Sequence, residues 1–356
     1  MLKRASWSLV ATISVVTVFL SIEPAFAQEP FYKGKTVEFL VNFSAGGPTD
    51  VFGRLIARYL PKHVPGNPTV IVRNMPGAGG IIGANYIYEK SKPDGLTIGV
   101  FSGMYLPQFL GGPTVRYDLN NMPIIAGAAE TSVVYIRADA GVRTAADLLK
   151  PAKPIVVGGF TRENNKDLGM RLALELLGAP YRYVTGYAGV AELRVAIQRG
   201  EINYTSESLT GYMTGGTLLV KEGVVVPLYQ EGLLGPEGDT VRDPRSDLPS
   251  FRESFRKVKG SDPTGPLAEA FKISGGSRTM LRFITVPPKT PGRLVDILRS
   301  SFRQTFEDPE FKADSERVLR FQLFTYVGED AEKINAAVFR AAAGPGQAAL
   351  KKLTQQ

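Results

Sequence analysis

Strand-like and helix-like segments alternate along the first part of the chain. Apolar, β-branched stretches predict strands at 36–41, 69–72 and 96–101, and apolar residues at helical spacing predict helices at 51–60 and 81–89. Alternation of this kind with short loops is typical of a parallel sheet flanked by helices. This pattern therefore restricts the first part of the chain to an α/β fold.

The same alternation continues through the middle of the chain and returns near its C-terminus. Strands are predicted at 132–136, 154–158, 181–184, 202–205, 224–229, 281–286 and 321–326, and helices at 144–150, 166–177, 190–199, 290–306 and 329–340. Residues 232–276 are rich in glycine, proline and charge, with a short amphipathic piece near Phe251. A chain of 356 residues with this pattern predicts about two domains.

The N-terminus has the features of a secretory signal peptide. Lys3 and Arg4 precede an apolar run at 9–22, and Ala25-Phe26-Ala27 is a small-x-small cleavage signal. The alternative is an uncleaved anchor, but the apolar run is short for a membrane span, which needs ~20 residues. We therefore expect cleavage after Ala27 and a periplasmic location.

Composition argues against most catalytic and metal-binding sites. The chain has no cysteine, which excludes thiolate metal sites, and its one histidine, His63, excludes histidine-rich zinc sites. His63 lies at the end of a predicted helix, where a solvated side chain is the simpler interpretation. The net charge of +8 is spread along the chain, so we expect no nucleic-acid partner and a modest preference for anionic solutes. No cofactor is predicted.

The sequence NFSAGGPTD, residues 42–50, joins the first predicted strand to the first predicted helix. Gly46 and Gly47 allow a tight turn and close approach to a ligand, and Pro48 can begin the helix. Thr49 and Asp50 fall in the first helical turn, where free N–H groups attract anions. The lysine of a phosphate-binding loop is missing, so a carboxylate suits this loop better than a polyphosphate.

The sequence NMPGAGG, residues 74–80, is a second glycine-rich loop after a strand. A dinucleotide fingerprint that starts at Gly77 needs a third glycine where Ile82 stands, so nucleotide binding is disfavoured. A turn without any ligand remains the alternative for each loop. Two such loops at neighbouring strand ends favour a binding site, because ligands of parallel sheets lie beyond the C-terminal strand ends.

Four longer segments stand out along the chain: FYKGKTVEFLVNFSAGGPTDVFGRLIARYL, VIVRNMPGAGGIIGANYIYEKSKPDGLTIG, VTGYAGVAELRVAIQRGEIN and PPKTPGRLVDILRSSFRQTFEDPEF. In this order they resemble the Bug family, the extracytoplasmic solute-binding proteins of tripartite tricarboxylate transporters. The resemblance implies a two-lobed clamshell of the periplasmic-binding-protein fold, each lobe a mainly parallel sheet flanked by helices. Lobe one would comprise residues 28–130 and 230–356, and lobe two residues 131–229.

The resemblance also implies a set of ligand-binding residues in the cleft between the lobes. On lobe one these are Ser44, Ala45, Gly46, Gly47, Thr49, Asp50, Ala78, Gly79 and Ser102, and on lobe two Thr161, Arg162, Tyr187, Ala188, Gly189 and Glu207. The loop at 158–164 departs from the small residues usual in the family. Arg162 could clamp the far end of a dicarboxylate, or pair with Glu163 or point to solvent, and Phe160 could stack on an aromatic acid.

These features together predict a monomeric periplasmic protein that binds a small carboxylate and delivers it to membrane transporter subunits. A binding module that feeds a sensor or signalling partner is one alternative. A secreted hydrolase is the other, and it would have to use Asp50 and Glu207, because no histidine or cysteine lies near a nucleophile.

We expect the exported protein to begin at Gln28 and to carry no lipid. The Ala25-Phe26-Ala27 motif directs the cleavage, and the lack of cysteine removes the usual site of an N-terminal lipid. Intact-mass spectrometry of the protein recovered from the periplasm measures this directly. Retention of residues 1–27, or the added mass of an acyl chain, would show that the N-terminus is an anchor.

Overall fold

A computed structural model of the protein describes residues 29–234, 239–343 and 346–355. The predicted signal peptide, residues 1–27, lies outside the described residues. The strands are β1 Thr36–Val41, β2 Thr69–Asn74, β3 Thr97–Ser102, β4 Ile124–Ala129, β5 Ser132–Arg137, β6 Ile155–Gly158, β7 Tyr181–Val184, β8 Tyr204–Ser208, β9 Val225–Gln230, β10 Leu233–Leu234, β11 Thr240–Val241, β12 Arg282–Thr285 and β13 Phe324–Val327.

Helices cover both sheets. They are α1 Pro48–Tyr59, α2 Ile81–Glu89, α3 Tyr105–Leu110, α4 Asn165–Leu177, α5 Val190–Arg199, α6 Leu209–Gly211, α7 Thr217–Lys221, α8 Phe251–Lys259, α9 Pro266–Thr279, α10 Gly292–Glu307, α11 Pro309–Leu319, α12 Glu329–Ala342 and α13 Gly346–Thr354. A π-helical turn at Tyr212–Gly216 joins α6 to α7. Short 3₁₀ turns lie at Leu60–His63, Ala78–Gly80, Leu119–Asn121, Ala138–Ala140 and Ala145–Leu149.

The first sheet has six strands in the order β13-β4-β12-β3-β1-β2. Strand β1 is parallel to β2 and β3, whereas β12 and β13 pair antiparallel with their neighbours. Val41 at the end of β1 faces Asn74 at the end of β2 and Val100 in β3. The loops that follow these three strands therefore leave the sheet at one edge.

The second sheet has five strands in the order β7-β6-β8-β5-β9. Strand β6 runs parallel to β7 and β8, while β5 pairs antiparallel with β8 and β9. Each sheet is thus mixed, with three neighbouring parallel strands at one side. The predicted two-lobed α/β fold with mainly parallel sheets is confirmed.

Alternation along the strands places apolar residues on both faces of the first sheet. In β1, Phe39 packs in a cluster with Phe52 of α1 and Phe302 of α10, whereas its neighbour Leu40 packs in a separate cluster with Ile81 of α2. Successive strand side chains point to opposite faces, so helices must cover each face. This explains why these strands are continuous apolar runs.

The predicted lobe boundaries remain a prediction. Helices α8, α9 and α13 follow residue 230 in sequence, yet Phe251, Phe271 and Leu350 pack in one cluster with Val157 of β6 and Leu172 of α4. The C-terminal part of the chain therefore contributes to the covering of both sheets.

Two crossing segments connect the sheets, and buried ion pairs hold them. Glu130 lies between β4 and β5 and pairs with Arg282, and Glu231 follows β9 and pairs with Arg278 at 2.5 Å. The crossings also bond to each other, since the Glu231 N–H donates to the Ser132 carbonyl at 2.8 Å. All four charged side chains are at most 1% exposed.

Several elements were missed in the sequence. Helix α9 lies in the stretch that glycine and charge marked as irregular, and α11 begins at Pro309, where a helix was predicted only to end. Strand β4, IIAGAA, is too rich in alanine and glycine to show a strand pattern. Among the described residues, no helix is both long and apolar enough to cross a membrane.

Replacing Glu231 with glutamine should lower the free energy of unfolding by about 3–5 kcal/mol, because it leaves the fully buried Arg278 without a counter-charge. Urea unfolding followed by circular dichroism measures the change. The matched control is Glu29→Gln, which removes the exposed pair with Lys33 and should cost at most about 1 kcal/mol. Equal effects of the two substitutions would show that the buried pair does not stabilise the crossings.

Candidate functional site

A cavity of about 60 Å³ lies where the loops of the two sheets meet. A water needs about 10–15 Å³, so the cavity has room for about four to six groups of that size. From the first sheet it is lined by Phe43, Ser44, Gly47, Pro48, Thr49, Ser102, Gly103, Leu281 and Arg282. From the second sheet it is lined by Ser132, Phe160, Asn164, Asn165, Lys166, Gly189, Val190, Ala191 and Ser208.

Asp50 fixes the shape of the loop between β1 and α1. Its carboxylate accepts hydrogen bonds from the Gly46 N–H and Arg54 Nε, both at 2.8 Å, and from Asn74 Nδ2 at 2.9 Å. Burial alone would raise its pKa, but these hydrogen bonds outweigh burial and lower the pKa of Asp50 below its ordinary value of 3.8. Gly46 adopts a φ of +77°, which a glycine accepts without strain.

The N-terminal turn of α1 faces the cavity through Pro48 and Thr49. The first N–H groups of an α-helix have no partner within the helix, so they are available to a ligand. The Gly47 N–H is engaged in the turn itself, since it donates to the Ser44 carbonyl at 3.3 Å. The amides of Thr49 and Asp50 are therefore the better donors at this turn.

Aromatic and backbone contacts join the two sides of the cavity. The rings of Phe43 and Phe160 lie 5.4 Å apart between centroids, and Asn164 Nδ2 donates to the Gly79 carbonyl at 3.4 Å. A Cβ at Gly189 would lie 3.2 Å from Ser44 Oγ, so glycine permits this close approach. The loops of both sheets thus enclose one space.

Asp167 organises the second-sheet side. Its Oδ2 accepts from the N–H groups of Phe160 at 2.5 Å and Thr161 at 2.9 Å, and its Oδ1 lies 2.6 Å from Lys166 Nζ. The Lys166 ammonium also lies 4.4 Å from the centroid of the Phe160 ring. The side chain of Lys166 is only 10% exposed, so a cation is held at the cavity wall.

Arg282 brings a second cation to the cavity, from the start of β12. It pairs with the buried Glu130, and its Nη2 donates to Ser208 Oγ at 2.7 Å. The glycine loop itself has no cation at its turn. The structure therefore supplies positive charge from Lys166 and Arg282, residues distant in sequence from that loop.

The cavity gathers only part of the residue set that the family resemblance implies. Among the predicted residues, Ser44, Gly47, Thr49, Ser102 and Gly189 line it, whereas Ala45, Gly46, Asp50, Ala78, Gly79, Thr161, Arg162, Tyr187, Ala188 and Glu207 do not. Asp50 and Gly79 contact residues near the cavity instead: Asp50 accepts a hydrogen bond from the Gly46 N–H, and the Gly79 carbonyl accepts one from Asn164. Arg162 is exposed.

Glu207 is engaged elsewhere in the second sheet. It is fully buried and accepts from Arg194 Nε at 2.9 Å and from the Tyr135 hydroxyl at 2.5 Å. Its carboxylate therefore serves an internal ion pair. The polar lining residues missed in the sequence are Ser132, Asn164, Asn165, Lys166, Ser208 and Arg282; only Asn164 had a local signal, as the N-cap of α4.

The side chains that a hydrolase would use are not assembled at the cavity. His63 Nε2 lies 2.8 Å from Asp308 Oδ2, so the ring is hydrogen-bonded to a carboxylate and is not the solvated helix end expected from the sequence. Asp50 and Glu207 are each paired with an arginine. Within the described residues, no cluster of histidine, aspartate or glutamate could hold a metal ion.

This architecture is the two-lobed α/β fold of periplasmic binding proteins. The structure of the periplasmic binding protein BugD superposes with a TM-score of 0.70 at 22% identity, covering 90% of this chain and 98% of that one. MatC from Rhodopseudomonas palustris with bound malate gives 0.66 at 18% identity, covering 90% and 99%. An R. palustris protein with adipate gives 0.67 at 21% identity, covering 90% and 97%.

Sequence comparison gives matches to one family of proteins. Residues 54–218 match the family described as the tripartite tricarboxylate transporter family receptor, TctC. A protein from the gbd 5′ region of Cupriavidus necator is 24% identical over 89% of this chain and 88% of its own length. A protein encoded between tcbD and tcbE in Pseudomonas sp. (strain P51) is 30% identical over 42% of this chain, and the match spans only 47% of that protein. Over residues 54–218 the chain is similar to the TctC/Bug family of solute-binding receptors.

Asp50→Asn should lower the free energy of unfolding by about 1–3 kcal/mol at pH 7, because a neutral amide replaces the acceptor of three hydrogen bonds. The pKa of Asp50 is lowered in the folded state, so its stabilisation is complete above about pH 4 and is lost as the pH falls through the folded pKa. The difference between parent and variant should therefore shrink on acidification. Urea unfolding at a series of pH values measures it.

The control for this prediction is Asp247→Asn, at an exposed aspartate in a loop. It should change the free energy of unfolding by at most about 0.5 kcal/mol. A difference between parent and Asp50→Asn that stays constant down to pH 3 would contradict a role for the ionised carboxylate.

Proposed function

We propose that the protein captures a small carboxylate in the periplasm and delivers it to membrane transporter subunits of the tripartite tricarboxylate type. One observation carries the proposal: the first turn of α1, Lys166 and Arg282 converge on a single cavity between the two sheets. Helix N-termini and buried cations both stabilise a negatively charged group. Cleavage after Ala27 and a monomeric state belong to the same proposal.

The lining fits a small acid better than a large or neutral solute. Five hydroxyl groups around the wall can donate hydrogen bonds to a ligand: those of Ser44, Thr49, Ser102, Ser132 and Ser208. Phe43, Phe160, Val190 and Leu281 give it an apolar part, which suits the carbon skeleton of an organic acid. Similar proteins solved with malate and with adipate support an acid of this kind.

Closure of the lobes is part of the proposed mechanism. Each sheet supplies about half of the lining, so neither side alone can surround a solute. The crossing segments between β4 and β5 and after β9 are where a hinge rotation would be absorbed. A receptor that closes on its ligand can present a distinct surface to a transporter, which supports delivery as its role.

Residues 28–356 should be stabilised against heat by at least one acid from a panel of acetate, malate, adipate, citrate and benzoate. A ligand that binds only the folded state raises the melting temperature, and the stabilisation grows with the logarithm of its concentration over Kd. Differential scanning fluorimetry with an external dye measures the shift, since the only tryptophan, Trp7, precedes residue 28.

Thr49→Val and Thr69→Val form a matched pair for this screen. Thr49 lines the cavity, so losing its hydroxyl should weaken the binding free energy by about 1–2 kcal/mol and reduce the shift. Thr69 is exposed at the start of β2 and should leave the shift unchanged. No shift with any acid of the panel would contradict the proposed carboxylate ligand, and equal shifts in the two variants would place the site elsewhere.

A further inference from the structure

Arg282 occupies the centre of the first sheet at the edge where the cavity lies. It is the first residue of β12 and pairs in register with Ser102 of β3 and Ala128 of β4. Its side chain is 1% exposed and lines the cavity together with Ser102 and Ser208. A charged group this deeply buried is retained only where it has anionic or acceptor partners.

The hydrogen bonds of the Arg282 guanidinium are incomplete. Nη2 donates to Ser208 Oγ at 2.7 Å, and Nη1 is held in an ion pair by the Glu130 carboxylate. Nε is buried and has no hydrogen-bond partner. A guanidinium carries five N–H donors, so acceptor capacity is missing around this side chain.

The first turn of α1, like the Arg282 guanidinium, has N–H donors that lack a hydrogen-bond acceptor. Thr49 in that turn lines the same cavity, and its amide has no acceptor within the helix. We propose that Arg282 binds the carboxylate of the ligand together with the first turn of α1, and that Glu130 holds the guanidinium in place. This inference rests on the proposed carboxylate-binding function and names the residue that anchors the acid.

Substitutions of Glu130 and Arg282 should change ligand affinity in opposite directions, which a purely structural arginine would not explain. Glu130 lies at the first crossing, accepts from the Thr210 N–H of α6, and neutralises Arg282. A bound carboxylate and Glu130 therefore share one cation. Removing the charge of Glu130 should strengthen ligand binding, whereas removing Arg282 should weaken it.

Arg278 is the matched control. Like Arg282 it is fully buried and paired with one buried glutamate, here Glu231, beside a crossing. Arg278 is not among the residues that line the cavity. A loss of binding caused only by disturbing a buried ion pair near the crossings would appear equally in both arginine variants.

The experiment is isothermal titration calorimetry of residues 28–356 with the five acids of the panel. The parent is compared with Glu130→Gln, with the charge-neutral double variant Glu130→Gln/Arg282→Met, and with the control variant Glu231→Gln/Arg278→Met. The double variant and the control variant each avoid leaving a buried charge unpaired, and circular dichroism confirms that each variant is folded. If Glu130→Gln alone does not fold, the double variant is compared directly with the parent.

We expect the double variant to bind the tightest acid of the panel about 10- to 100-fold more weakly than the parent, the scale of lost hydrogen bonds to a charged group. Glu130→Gln should bind it more tightly, and the control variant Glu231→Gln/Arg278→Met should keep the parent Kd. A double variant with the parent Kd would overturn the role of Arg282 and leave the carboxylate function standing. A parent that binds none of the five acids would overturn the function and this inference together.

Discussion

The buried ion pairs at the two crossing segments are the constraint on which the rest of the molecule depends. Glu130 and Glu231 are fully buried where the chain passes between the sheets, and a buried carboxylate without a partner is strongly destabilising. Their partners, Arg282 and Arg278, lie on one short segment where α9 ends and β12 begins. That segment therefore fixes both crossings and, through Arg282, one wall of the cavity.

Local sequence patterns predicted most of the framework. Strong apolar periodicity predicted α2, β7 and α5 with their observed bounds. The capping pair of Thr144 and Asp147 is also present, at the 3₁₀ turn Ala145–Leu149. Helix α9 escaped prediction because its SGGSR segment packs glycines and serines against neighbouring elements, where small size replaces an apolar stripe. Tertiary packing, and not local helix propensity, therefore makes this segment helical.

Part of the candidate site could likewise be predicted from local sequence, and part of it could not. The glycine loop before α1 is a local signal, and its turn, its Asp50 contacts and its position at the cavity follow from neighbouring residues. Lys166 and Arg282 had no such signal, because their place at the cavity depends on the pairing of strands far apart in sequence. Glu207 shows the converse: a suitable residue near the site was bound internally by Arg194. A charged residue becomes part of a site only when the tertiary structure leaves it facing the cavity.

The exposed position of Arg162 makes the loop after β6 accessible from solvent while its neighbours Phe160 and Asn164 line the cavity. The chain contains no cysteine, so a cysteine introduced at this position would be the only thiol in the protein. An environment-sensitive dye attached there would sit at the rim of the space between the two sheets. The loop thus gives the protein a natural attachment point for an optical biosensor of its own ligand.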